Sequence, residues 1–430
     1  MKRLFRLVLL RLLALLARPL ARRRSAAVAS VLYVKPDHLG DLLLATPALA
    51  ELRQRLPAAR ITALVGPWAA VVLRRNPDVD ALLTCPFPGF ERRATTSDQR
   101  PATNRLRDWL PFVVRRSSFV VHPYLTLLRY AALLRAARYD LAIVGRDDHW
   151  WGASLALLAG VPVRLGYDVP ECRPFLTAAL PWDPRAHVTA QGLALVDRAA
   201  IEARRPGDRE TSESATAMSP LPIQVSRPKP QAPSPTHPAA RFDPAPADIA
   251  WADAWLREHG LEGARLVVIH PGTGGPSKLW RAERWARVAD ALQQAGARVV
   301  LTGGPGEEPL VEAVAEQMPG PTLSLAGRTS VGQLAALLRR AGVVLGVDSG
   351  PLHLAAAQGV PSAHLFGPGD AGRFGPWGDP ARHVVLRADL WCSPCGVFAA
   401  CPRGLARPEC MDLIDVRRVA DAARQLMQVS

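Results

Sequence analysis

The chain has 430 residues, 49% of them apolar, and 53 Lys and Arg against 38 Asp and Glu give it a formal charge of +15. That length is more than one ordinary core needs, and it predicts two domains. The basic balance favours anionic partners, but no recognisable nucleic-acid-binding module accompanies it, so no nucleic acid partner is expected.

The first acidic residue is Asp37. Residues 1–27 open with MKRLFRLVLLRLLALLARPLARRR, an apolar run broken by Arg6, Arg11 and Arg18. It is too short and too charged to span a bilayer. The Arg-rich stretch after Pro19 is also unlike a signal-cleavage site. This segment reads as a basic amphipathic helix lying on an anionic membrane surface.

Residues 28–203 alternate strands and helices. VLYV (31–34), ITALVG (61–66), DALLTC (80–85) and LAIVG (141–145) read as strands. Asp41 to Leu56, a stretch from Trp68 and LTLLRYAALLRAARYD read as helical. Residues 86–121, rich in Arg, Pro, Ser and Thr, break the rhythm as an inserted loop. Residues 204–248 are rich in Pro, Ser and charge and predict a disordered linker. Residues 249–430 repeat the alternation more cleanly, with strands LVVIH, ARVVLTG, TLSLAG, VVLGV and SAHLFG. Gly296, Gly342 and Gly359 stand where the intervening helices should stop. Such alternation predicts two doubly wound α/β domains facing a cleft, with ligands beyond the carboxyl ends of the strands.

Three strand-to-helix junctions carry groups suited to chemistry. KPDHLGD places Lys35, Asp37 and Asp41 at the end of the first strand, where a carboxylate could act as a base. The plain alternative is an acid favoured by any helix N-terminus. HPGTGGPSKLW offers Gly272, Gly274 and Gly275 for close backbone approach and Lys278 for phosphate, without spelling a Walker loop. VDSGPLH places Asp348 at a strand end, Ser349 and Gly350 in the turn, and His353 in the first helical turn. There the open N–H groups make an anion site, unless Asp348 or Ser349 merely caps the helix.

Six cysteines are present, four of them as Cys392-x2-Cys395-x5-Cys401-x8-Cys410. With no convincing export signal, a reducing cytoplasm and free thiols are expected. The spacing leaves two readings open, reduced thiols or a structural zinc.

Taken together, KPDHLGDLLLATPAL, RYDLAIVG with LAGVPVRLGYD, HPGTGGPSKLW, LTGGPGEE, VDSGPLHLAAAQGVPSAHLFGP and FGPWG resemble the bacterial heptosyltransferases and related glycosyltransferases of family 9. The resemblance implies a GT-B fold, two Rossmann-like domains around a donor–acceptor cleft. The N-terminal one lies on the acceptor side, and the C-terminal one binds the nucleotide-sugar. It also implies inverting transfer without a metal or other cofactor. By position, Asp41 falls on the catalytic aspartate and Lys278, with Thr273 beside it, on the donor-phosphate lysine. Asp348, Ser349, Gly350 and His353 fall on the element that cradles the donor. Glu307 lies near the ribose contact, and Lys35 matches a basic, acceptor-side position. The implied donor is ADP-heptose, and the acceptor an anionic glycolipid or glycan, lipopolysaccharide core or another envelope glycan. The place of work is the inner face of the cytoplasmic membrane. Two rival readings are a sugar-nucleotide epimerase of similar architecture and a non-enzymatic membrane-associated binding protein.

Overall fold

The structure, a computed structural model, describes residues 2–25, 27–90, 112–204 and 238–428, with the backbone alone at 2–3 and 112–122. Most of the expected insertion and linker therefore lies outside the described residues.

The first domain is built on β1 (Ser30–Lys35), β2 (Arg60–Val65), β3 (Ala81–Thr84), β4 (Leu141–Val144), β5 (Val163–Tyr167) and β6 (Ala178–Leu180). Its main helices are α1 (Lys2–Ala17), α2 (Leu39–Leu43), α3 (Thr46–Arg55), α4 (Phe112–Ala137), α5 (Trp150–Leu158) and α6 (Val188–Ala203). All strand pairings are parallel, in the order β3-β2-β1-β4-β5-β6. Parallel strands covered on both faces carry continuous apolar runs, and β1, β2 and β4 are buried almost throughout.

The second domain carries β7 (Leu266–His270), β8 (Arg298–Leu301), β9 (Leu323–Ser324), β10 (Val343–Val347), β11 (Ser362–Phe366) and β12 (His383–Arg387). Its helices are α7 (Pro246–Glu258), α8 (Ala282–Gln294), α9 (Glu308–Ala315), α10 (Val331–Leu338), α11 (Gly350–Ala357), α12 (Ala371–Phe374), α13 (Glu409–Asp412) and α14 (Val416–Leu426). Its sheet is also wholly parallel, ordered β12-β11-β10-β7-β8-β9. The chain reverses its direction of travel across each sheet at one place, between β1 and β4 in the first and between β7 and β10 in the second. Crevices open at such switch points. The segments leaving these four strands hold Lys35, Arg146, Thr273 and Asp348.

Several local expectations change. The helix expected over 41–56 is two, because the chain turns at Leu44–Ala45 and restarts with Pro47 at a first-turn position of α3. The stretch from Trp68 forms only a single 3-10 turn, Ala70–Val72. Pro67 and Pro77 flank it and push their preceding residues out of the helical region. Trp68 instead donates from Nε1 to the Asp37 carbonyl at 3.0 Å and stacks with His38. Helix α4 begins inside the expected loop. Helix α7 begins inside the expected linker, after a packed lead-in where Ala240 and Phe242 are buried. Gly296 and Gly359 do end helices, at left-handed φ values of +82° and +70°.

The two domains share apolar packing, with Leu49, Phe242, Leu256, Val268 and Leu352 in one continuous core. At their contact α2 and α11 meet through glycine. A Cβ on Gly40 would stand 2.9 Å from Cδ2 of His353, and one on Gly350 would stand 2.9 Å from Cδ2 of Leu39. Gly40→Ala should therefore destabilise the protein by about 1–3 kcal/mol, the usual cost of overpacking. Urea denaturation checks this, and an unchanged midpoint would mean that the His353 ring yields without strain.

Candidate active site

Lys35 leaves β1 into a cleft of about 210 Å³ that Asp37, Asp41, Arg146, Asp147, Gln191 and Arg373 also line. Its ammonium donates to the Gly145 carbonyl at 2.8 Å and pairs with Asp37 at 3.1 Å. Gly145 makes that room, since a Cβ there would stand 3.2 Å from the Lys35 side chain. Arg146 pairs with the other Asp37 oxygen and also grips Asp148. Burial alone would raise the Asp37 carboxyl, but Lys35 and Arg146 outweigh it and hold the group below its ordinary range. The pairing thus fixes Asp37 as an anion.

Asp41 is the reverse case. It is half-buried in the first turn of α2, and its carboxylate makes no hydrogen bond or ion pair among the described residues. Burial, then the negative charge of Asp37, push its pKa up to about 6; Lys35 and Arg146 oppose this, and Asp348 across the cleft adds to it. An unpaired carboxylate poised near neutrality can accept a proton. Asp41 also stands where a helix N-terminus favours an acid, in the first turn of α2, so the helix dipole and a role as base are both open to it.

On the facing domain, Lys278 donates to the Asp348 carbonyl at 2.8 Å and lies 3.3 Å from its carboxylate. Thr273 donates from Oγ1 to the same carbonyl at 3.2 Å. The ammonium also sits over the Phe398 ring, 4.8 Å from its centroid. Ser277 ties this loop to the cysteine-bearing segment, donating from N to the Phe398 carbonyl and from Oγ to that of Val397. The open N-terminus of α11 follows Asp348. Ser349 precedes it but gives no side-chain cap, and its buried Oγ has no partner among the described residues. Neither Asp348 nor Ser349 is therefore spent on capping. Burial pushes His353 down to about 4, so it is neutral and can act as a hydrogen-bond donor but not as a cation. Glu307 turns back into its own loop, accepting from the Gly304 amide at 2.7 Å and lying 3.4 Å from His270 Nε2. Gly272 leaves space for it: a Cβ there would fall 2.1 Å from the Glu307 carboxylate.

The structure thus gathers Thr273, Lys278, Asp348, Ser349, Gly350 and His353 around the start of α11, which meets α2 beside Asp41, while Lys35 and Asp41 line the cleft itself and Glu307 lies one loop away. Arg146, Asp147 and Arg373 are additional cleft residues. The junction rule that selected the other residues could have found the first two, since both directly follow the β4 run LAIVG. Arg373 had only the GPGD turn after β11 to mark it.

The four late cysteines are unbonded, with Cys395 exposed and Cys410 buried. Burial, then the nearby Cys395, Cys392 and Cys401, push Cys410 up to about 11. Among the described residues no three His, Cys, Asp or Glu side chains are grouped to hold a metal ion.

The sequence profile described as glycosyltransferase family 9 (heptosyltransferase) matches residues 127–400. The chain is 28% identical to lipopolysaccharide heptosyltransferase 3 of Escherichia coli over 348 residues, 79% of this chain and 83% of that one. It superposes on the family 9 glycosyltransferase of Veillonella parvula with a TM-score of 0.70 at 23% identity, over 95% of this chain and 100% of that one. The E. coli heptosyltransferase WaaC, solved with ADP-2-deoxy-2-fluoro heptose, superposes with a TM-score of 0.55 at 20% identity, over 84% of this chain and 93% of that one. Two parallel α/β domains, a cleft lined by an unpaired aspartate, and a profile match over more than half the sequence agree: the chain belongs to glycosyltransferase family 9 and is a glycosyltransferase.

Proposed function

We propose that the protein is an inverting heptosyltransferase that takes ADP-heptose as donor and lipopolysaccharide core as acceptor, at the inner face of the cytoplasmic membrane and without a metal. The observation that carries this is Asp41, unpaired and raised to about 6, beside the α2–α11 contact on whose far side Lys278 is held to Asp348. The names of the similar proteins support heptose and lipopolysaccharide, and the ADP-sugar bound by WaaC supports the base.

In this reading the acceptor hydroxyl gives its proton to Asp41 as its oxygen bonds to the anomeric carbon. The bond from that carbon to the diphosphate oxygen breaks on the opposite face, and ADP leaves with the electron pair. Lys278 and the first N–H groups of α11 receive the growing charge, a preorganised arrangement that acts more strongly in transition state than in ground state. Ser349 and neutral His353 are placed to add hydrogen bonds. Lys35 and Arg146, both tied to Asp37, offer cations to an anionic glycan in a cleft that Asp147 and Asp148 also line.

A thermal-shift panel of ADP-, UDP-, GDP- and dTDP-sugars tests the donor, because only a bound nucleotide raises the melting temperature by mass action. Stabilisation by ADP-heptose alone is expected. Conversion of a nucleotide-sugar to its epimer without acceptor would instead establish the epimerase reading.

Activity should also survive EDTA, since a lysine and a helix terminus meet the leaving charge. Immediate loss, restored by Mg²⁺ or Mn²⁺, would overturn this. Slow loss with a falling melting temperature, reversed only by Zn²⁺, would assign a structural metal to Cys392, Cys395, Cys401 and Cys410. That segment braces the Lys278 loop through Val397 and Phe398, so its loosening would reach the donor wall.

A further inference from the structure

Helix α1 is held on the first domain by a narrow stripe. Leu10, Ala14 and Ala17 pack against Ala153, Leu157 and Phe175. Its remaining surface is the more apolar one, with Leu4 68%, Phe5 73% and Leu16 79% exposed. A helix on a water-facing surface normally shows the opposite polarity. Helix α4 repeats the pattern. Leu127, Ala131 and Leu134 face the core, while Leu125 and Leu128 stand 60% and 58% exposed.

Both helices flank α5, and in the same direction. At its start, Arg6 lies 5.5 Å from the Trp150 ring centroid, and Trp151 Nε1 donates to the Pro123 carbonyl at 3.3 Å. At its end, Arg135 donates to the Leu20 carbonyl at 3.1 Å, beside Gly160. The two outward apolar rows therefore lie on the same side of the domain, on either side of α5, and exposed apolar surface of this extent marks an interaction surface.

Charge identifies the occupant. Neither α1 nor α4 contains an Asp or Glu, and Arg6, Arg11, Arg18, Arg129 and Arg135 are exposed along them. A second copy would bring two acid-free, arginine-bearing faces together and repel. An anionic bilayer offers acyl chains to the leucines and phosphates to the arginines. No helix among the described residues is long and apolar enough to cross a membrane. We propose that α1 and α4 together form a docking face for an anionic phospholipid bilayer, with residues of both helices dipping into one leaflet. The Arg146–Asp148 loop that lines the cleft leads directly into the start of α5. The proposed face thus ends at the cleft's rim, where a glycolipid head group would enter.

Flotation of the full chain with phosphatidylcholine vesicles, with and without phosphatidylglycerol, tests this without any turnover, so its outcome is independent of the donor and acceptor reading. The wild-type chain should float with phosphatidylglycerol vesicles and far less without. Phe5→Ser with Leu9→Ser, and separately Leu125→Ser with Leu128→Ser, should each weaken partitioning about tenfold or more. Because these side chains are exposed, circular-dichroism melts should stay unchanged. Wild-type binding by the α4 pair, or binding indifferent to lipid charge, would overturn the proposal. So would a dimer in sedimentation velocity that the same substitutions dissolve while vesicles are never bound.

Discussion

Asp41→Asn should lower kcat by about a hundred- to ten-thousand-fold, the range for loss of a general base, while the donor KM stays within about twofold. The carboxylate touches the acceptor proton and not the diphosphate, so ground-state donor binding should survive. The wild-type rate should rise with pH through about 6, because Asp41 must be ionised to accept the proton and its pKa stands near that value. An ordinary aspartate would give a flat profile down to about pH 4. The same shift predicts a stability effect of known sign. The folded pKa lies above the unfolded one, so the native state binds the extra proton and ionised Asp41 destabilises the fold. That penalty is absent below about pH 4, grows as pH rises to about 6, and is constant above. Asp41→Asn should thus be more stable than wild type by on the order of 1–2 kcal/mol at pH 8, after allowing for the half-exposed setting, and equal to it near pH 3.5. Chemical denaturation at the two pH values reads this directly. Normal turnover by the Asn variant would move the base to Asp147, which lines the same cleft.

The strands that position the site were legible because a parallel sheet buried on both faces leaves runs such as VLYV, LVVIH and VVLGV. The residues after those runs were legible for the same reason, as their strands end at the switch points. The short strands Val163–Tyr167 and Ala178–Leu180 did not stand out: Arg164 and Gly166 interrupt one, and the other has three half-buried residues. The charge state of each candidate was also hidden. Lys35, Asp37 and Asp41 fall within seven residues, yet only the fold shows that Arg146, 109 residues from Asp37, completes the ion pairs that separate an anion from a base. Phe398 was hidden too, because the sequence places it in a cysteine-rich segment far from the lysine it stacks on.

Lys278→Ala should lower kcat/KM by about a hundred- to a thousand-fold, the measured scale for removing one preorganised donor at a site of developing charge. Unlike Asp41→Asn, it should both raise the donor KM and lower kcat. The ammonium meets the diphosphate in the bound donor and meets more charge as the bond to the sugar breaks. The structure adds a second reason for a large effect. Lys278 is held at 2.8 Å from the Asp348 carbonyl and 3.3 Å from its carboxylate, so its removal leaves a buried anion without its cation. Asp348→Asn in the Lys278→Ala background should therefore recover part of the lost binding. A lysine acting alone would show no such recovery. Thermal shifts with ADP should fall in Lys278→Ala and return partly in the double variant, giving a readout separate from turnover. If ADP binding and kcat both stayed at wild-type values, the diphosphate would have to be held elsewhere, with Arg373 on the cleft wall as the remaining cation from the second domain.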